Sequence, residues 1–157
     1  MKKKKFTVLS VEDNQPDFAL LEKAFSAIPG LSLNIINITN GQYALDFIYK
    51  KGKYKSAPTP DIIILDINLP LISGQEILET LKNSEKYRII PIIMFSTLDT
   101  KEDIIEAYNL HANSYITKTF DVEELFQKIA SLGEYWLKIN EPPETHNFCF
   151  VQTQIKP

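Results

Sequence analysis

Ile62-Ile63-Ile64-Leu65-Asp66-Ile67-Asn68-Leu69-Pro70 is the stretch whose reading decides the fold. Four apolar residues in succession, three of them β-branched, do not alternate with polar ones, so they predict a short strand covered on both faces. The acid at its end and the turn at Leu69-Pro70 place Asp66 at the rim of that buried strand. Outward in both directions the same unit recurs, a β-branched or apolar run, a turn, then helical spacing. The further strands are predicted at Lys5 to Val11, Leu33 to Ile38, Ile90 to Phe95 and Ser114 to Thr117.

Helical stretches alternate with these strands. Pro16 suits a first helical turn ahead of Phe18, Leu21 and Phe25, with Gly30 as the expected stop. A second stretch spans about Asn40 to Lys50. The box Ser73-x-x-Glu76 opens a third helix with Ile77, Leu78 and Leu81, and Thr100-x-x-Asp103 a fourth with Ile104, Ile105 and Tyr108. Asp121 caps a fifth, expected from Val122 to about Lys138, with Leu125, Ile129, Leu132 and Trp136 on one face and Phe126, Gly133 and Leu137 beside it. Five such units with right-handed crossovers predict an α/β fold: a flavodoxin-like, five-stranded parallel sheet of order 2-1-3-4-5 in a three-layer αβα sandwich.

The chain has 157 residues, a net charge of -3 and one cysteine, Cys149, which excludes an intrachain disulfide and a Cys-cluster metal site. The acidic balance argues against a nucleic-acid surface, and Lys2 to Lys5, followed by only a short apolar run, reads as a solvated end rather than a signal or a membrane span. A cytoplasmic protein is expected. Residues 1–138 are read as one domain and 139–157 as a tail too short for an effector domain.

Ligands of such sheets bind beyond the carboxyl ends of the strands, where the order reverses, between strands 1 and 3. The residues that end the strands are Glu12-Asp13, Asp66, Ser96-Thr97 and Lys118. Carboxylates packed this closely raise one another's pKa unless a cation neutralises them, and an oxygen-only set suits a hard ion such as Mg²⁺. An ionised Asp66 beside Mg²⁺ can act as a nucleophile toward a phosphoryl group, with Ser96 and Lys118 holding phosphoryl oxygens. Taken singly, each of these residues also has a plain reading as a helix cap, a turn or a surface charge.

The motifs Val8-Leu9-Ser10-Val11-Glu12-Asp13-Asn14, Asp66-Ile67-Asn68-Leu69-Pro70 with Gly74, Pro91 to Thr97, and Tyr115-Ile116-Thr117-Lys118 resemble the receiver domain of two-component response regulators, over about residues 5 to 138. The resemblance implies a signalling domain that catalyses only its own phosphorylation and slow dephosphorylation. Asp66 would accept the phosphoryl group from a phosphohistidine of a sensor histidine kinase. Asp13, Asp66 and the Asn68 carbonyl would hold Mg²⁺, with Glu12 acting through water. Ser96 and Thr97, Lys118 and Tyr115 would bind the phosphoryl group or switch with it, reshaping the face of the fourth helix, fifth strand and fifth helix. Asn68 and Leu98 occupy the positions that tune phosphoryl lifetime, and the apolar Leu98 suggests a long one. Thr119 stands where the family usually has proline.

The long connection from Tyr49 to Pro60, the segment Leu110 to Lys118 and the last helix with Trp136 are similar to stand-alone regulators that partner bacterial and cyanobacterial phytochromes. That likeness suggests a phytochrome-type kinase partner and a homodimer through the switching face. His111 and His146 read as surface or helix-end residues, and Phe148 to Val151 as a segment able to dock as a strand. Two rival readings are weaker. A haloacid-dehalogenase-type phosphatase requires an acid where Asn68 stands, and a flavodoxin-like cofactor binder would place phosphate against Glu12-Asp13.

Overall fold

The computed structural model describes residues 4–145. Lys2, Lys3, His146, Cys149 and the segment Phe148 to Val151 lie outside the described residues. The strands are β1 (Lys5–Val11), β2 (Ser32–Ile38), β3 (Ile62–Leu65), β4 (Ile92–Ser96) and β5 (Ser114–Thr117), all parallel, in the order β2-β1-β3-β4-β5. The helices are α1 (Gln15–Ser26), α2 (Gly41–Ile48), α3 (Gly74–Lys82), α4 (Lys101–Asn109) and α5 (Val122–Glu134).

The unbroken apolar character of β3 has a direct explanation. Ile63 and Leu65 face one core with Phe47, Ile77, Leu78, Leu81 and Ala107, while Ile62 and Ile64 face the other with Leu21, Phe25, Leu125 and Ile129. Helices cover both sides, so no position of the strand is free to be polar, and each buried Ile contributes about 1.5–3 kcal/mol over exposure. The caps predicted at Ser73, Thr100 and Asp121 form, and Asn14 and Asn40 add two that the sequence reading did not name. Ser73 and Glu76 exchange bonds in a capping box, and Asn14, Asn40, Thr100 and Asp121 each accept from a backbone N–H of the first turn.

Several boundaries and faces differ from the sequence-based expectation. Strand β4 begins at Ile92 rather than Ile90, because Pro91 has no N–H for the ladder; its carbonyl still accepts from Ile63. Helix α1 ends at Ser26, before Pro29, and Gly30 (φ 80°) turns the chain beyond it instead of stopping the helix. On α4 the only buried residue is Ala107, whereas Ile105 and Tyr108 are exposed. The last helix gives way at Tyr135 to a π-turn, Tyr135–Ile139, closed by the bond from the Asn140 N–H to the Tyr135 carbonyl (2.7 Å). The wider turn rotates Leu137 into the core and leaves Trp136 only half-buried.

The segment after that turn reaches Asp61, at the amino end of β3. Thr145 is fully buried and its hydroxyl donates to Asp61, which also accepts from the Thr7 N–H. Among the described residues, no helix is long and apolar enough to cross a membrane.

Candidate functional site at the carboxyl rim of the sheet

The parallel register brings the strand ends into line. Val11 pairs with Leu65 and Ser96 with Thr117, so the next residues, Glu12, Asp66, Thr97 and Lys118, emerge at one rim. Backbone bonds continue the ladders past the strands: Glu12 donates to Ile38, Asp66 to Val11, and Lys118 to Ser96. One carboxylate oxygen each from Glu12, Asp13 and Asp66 lies within 4.8 Å of the others. Glu12 and Asp66 are buried, while Asp13 is exposed.

The Lys118 ammonium, itself buried over the Phe95 ring, sits 2.6 Å from Glu12, 2.9 Å from Asp17 and 3.1 Å from Asp66. Burial alone would lower its pKa, but the carboxylates of Glu12, Asp17 and Asp66 reverse this and hold it above the ordinary lysine range. The Glu12 carboxyl moves the other way from its usual value. Burial pushes it up to about 7 against the pull of Lys118, and the nearby Asp66 charge adds to the rise. Three carboxylates therefore share one ammonium, Asp13 adds a fourth beside them, and the rim keeps an excess of negative charge. An oxygen-only, partly desolvated set of this kind fits a hard divalent cation.

The Ser96 hydroxyl accepts from the Leu98 N–H (3.2 Å), and the Tyr115 hydroxyl donates to the Leu98 carbonyl (2.7 Å). One peptide segment thus joins the fully buried serine to the half-buried tyrosine. Asn68 is exposed and its N–H donates to Asp66 Oδ1 (3.3 Å); Thr97 is exposed as well. His111 is exposed after α4, at the opposite edge of the sheet. The peptide bonds of the described residues are all trans, so the loop at Lys118-Thr119 is built without a cis bond.

Asp17 and Gly41 were not singled out in the sequence, whereas Gly74 was. Asp17, in the first turn of α1, completes the cage around Lys118, and its place one helical turn after Asp13 was the available signal. Gly41 and Gly74 let the β3–α3 loop pack closely, since a Cβ at Gly74 would overlap the Asp66 carbonyl and one at Gly41 the Ile72 carbonyl. Within that loop Leu71 adopts φ 70°, a conformation that costs a non-glycine residue about 1–3 kcal/mol.

Known proteins share both the sequence and the architecture. The response regulator Rcp1 of Synechocystis is 30% identical over 131 residues, covering 83% of this chain and 88% of Rcp1. The probable methanogenesis regulatory protein FilR2 of Methanothrix harundinacea is 34% identical over 88% of each chain. The crystal structure of the phosphorylated cyanobacterial phytochrome response regulator RcpA superposes with a TM-score of 0.85 at 33% identity, covering 89% of this chain and 99% of RcpA. The Mn²⁺-bound form of Rcp1 gives the same TM-score at 30% identity, over 88% and 99%. The profile of the response regulator receiver domain matches residues 8–130, which include the acidic rim and all of the sheet but the first three residues of β1, and the chain belongs to that family.

Proposed function

We propose that Asp66 is the phosphoacceptor of a two-component pathway, phosphorylated in a Mg²⁺-dependent reaction by the phosphohistidine of a sensor histidine kinase. The observation that carries this reading is the placement of the buried Asp66 carboxylate against Lys118 and within the Glu12–Asp13–Asp66 cluster. In the reaction one Asp66 oxygen bonds to phosphorus as the phosphorus–nitrogen bond to the kinase histidine breaks, and the released imidazole nitrogen takes up a proton. Asp13, Asp66 and the Asn68 carbonyl would hold the metal, with Glu12 acting through water; the ion supplies charge neutralisation for the incoming phosphoryl group.

Lys118 holds Asp66 in place beforehand and passes its ammonium to a phosphoryl oxygen afterward. The Ser96 hydroxyl, with Thr97 beside it, turns toward the phosphoryl group and gives up the Leu98 N–H. Because Leu98 also holds Tyr115, that loss biases Tyr115 and with it the α4–β5–α5 face, a two-state element moved by a local charge change. The exposed Ile105 and Tyr108 of α4 support the same face as a homodimer contact. Leu98 offers no side-chain hydrogen bond to a hydrolytic water, which favours a long phosphoryl lifetime, with Asn68 as the second tuning position.

The likeness to RcpA, a cyanobacterial phytochrome response regulator, supports a phytochrome-type kinase as the donor. Residues 1–138 act as the receiver unit and 139–157 as an appended tail, in a cytoplasmic signalling protein that is not a metabolic enzyme. Intact-mass measurement with a small-molecule phosphodonor, with and without Mg²⁺, tests the central claim. The expected result is a Mg²⁺-dependent gain of one phosphate that Asp66→Asn abolishes; a gain that persists in Asp66→Asn overturns the assignment.

A further inference from the structure

We propose that the knuckle joining α2 to β3 is a second interaction surface, away from the acidic rim, that receives a carboxylate-rich segment of a partner protein. Lys50, Lys51, Lys53 and Lys55 occur within six residues, all exposed, and no acid lies between residues 47 and 60. Lys86 and Arg88 of the α3–β4 connection extend the patch, because the Tyr87 ring stands edge-on to Tyr49 at 5.3 Å. Among the described residues none of these six cations pairs with a carboxylate, whereas Lys128 on α5 and Lys138 in the π-turn after it each pair with a glutamate four positions earlier. Two acids lie close in sequence: Asp46, which accepts from Gln42, and the exposed Glu85.

Three of the ammonium groups are placed rather than loose. Lys53 lies 4.5 Å from the centre of the Tyr43 ring and 5.0 Å from that of Tyr54, Lys51 lies 5.2 Å from Tyr49, and Lys86 lies 5.1 Å from Tyr87. The rings brace one another, with Tyr54 edge-on to both Tyr43 and Phe47. The backbone is fixed too. Lys50 (φ 57°) and Gly52 (φ 55°) make a tight reversal, and bonds from Lys51 to Asp46, Tyr54 to Lys51 and Ala57 to Tyr54 close it. Cations held on ring faces lose less freedom when an anion arrives, so more of the charge attraction appears as affinity.

Charge complementarity asks for an anionic occupant, and the rings decide which. Their faces already carry the chain's own ammonium groups, so they are not open for base stacking, which single-stranded nucleic acid relies on. Between residues 49 and 60 no aliphatic side chain is exposed, and Ile89 beside Arg88 offers a single one, too little apolar surface to enter a lipid layer; the net charge of -3 opposes approach to an extended polyanion. A short acidic stretch of protein meets all three conditions.

The test is an NMR titration of the full chain at physiological ionic strength with a synthetic peptide of alternating Glu and Ser. Oligothymidylate and anionic phospholipid vesicles serve as parallel probes. Amide shifts confined to residues around 43–55 and 86–88 are expected, with affinity about tenfold weaker in Lys51→Glu/Lys53→Glu and unchanged in Lys23→Glu/Lys101→Glu, which alters net charge equally elsewhere. Absence of peptide binding, shifts scattered over the surface, or equal weakening in both variants overturns the proposal. Tighter binding of the oligonucleotide or the vesicles overturns the choice of occupant.

Discussion

Two lysines sit at opposite edges of the same sheet, and their surroundings are opposite too. Lys118, at the carboxyl rim, is ringed by the carboxylates of Glu12, Asp17 and Asp66. Lys82, at the end of α3, donates to three neutral oxygens, the carbonyls of Arg88 and Ile90 at 2.9 Å and Asn113 Oδ1 at 2.8 Å. Both are substantially desolvated, yet the Lys118 pKa is raised while burial pulls that of Lys82 down to about 8. Desolvation acts alike on both; the sign of the shift is set by whether negative charge is there to answer it. The carboxyl rim concentrates negative charge, and the opposite edge uses an ammonium as a pin that ties α3 to the approaches of β4 and β5.

Removing the ammonium at the rim should have the largest effect. Lys118→Met leaves buried carboxylates facing one another, and we expect a loss of about 3–5 kcal/mol in urea denaturation at neutral pH, recovered in part by Mg²⁺. Phosphorylation in the mass assay should fall with it. A loss below about 1 kcal/mol would mean that the cage is not under electrostatic stress.

The matching change at the other edge should cost less and leave the chemistry alone. Lys82→Met strips a donor from three oxygens, of which Asn113 Oδ1 keeps the Ile92 N–H, so about 1–3 kcal/mol is expected with an unchanged phosphorylation rate. The same lysine predicts a pH dependence. Its folded pKa lies below the unfolded value of 10.5, so between about pH 8 and 10.5 the unfolded chain holds more protons than the folded one. The Lys82 contribution to the unfolding free energy should therefore rise with pH across that window, a slope that Lys82→Met removes. Denaturation series at pH 7.5 and above on both proteins measure it.

The smallest effect is expected at Asp17, whose side chain is 25% exposed. Asp17→Asn should cost under about 1 kcal/mol, because two other carboxylates still hold Lys118 and solvent screens the third. An effect as large as that of Lys118→Met would show that the cage acts as one indivisible unit.

Much of the site was legible because each of its residues terminates a strand. Asp66 follows four apolar residues, Glu12-Asp13 follows β1, and Lys118 follows β5, so residue type and position together named the rim. The helix caps were equally plain, since Ser73, Thr100 and Asp121 bond backbone groups only three residues away. The face of α4 was not legible. Ile104, Ile105 and Tyr108 look like a core stripe, but the short contact with the sheet accepts only Ala107.

By itself the sequence determined the α/β alternation, the strand-ending residues and the caps, because these depend on side-chain chemistry within one turn or one strand. Only the tertiary structure decided that Asp17 joins the cage, that the π-turn buries Leu137 instead of Trp136, and that two lysines of identical chemistry have pKa values displaced in opposite directions. The physical reason is that burial and Coulomb interaction act through space, and the neighbours that set them lie far apart along the chain: 106 positions separate Lys118 from Glu12, and 31 separate Lys82 from Asn113.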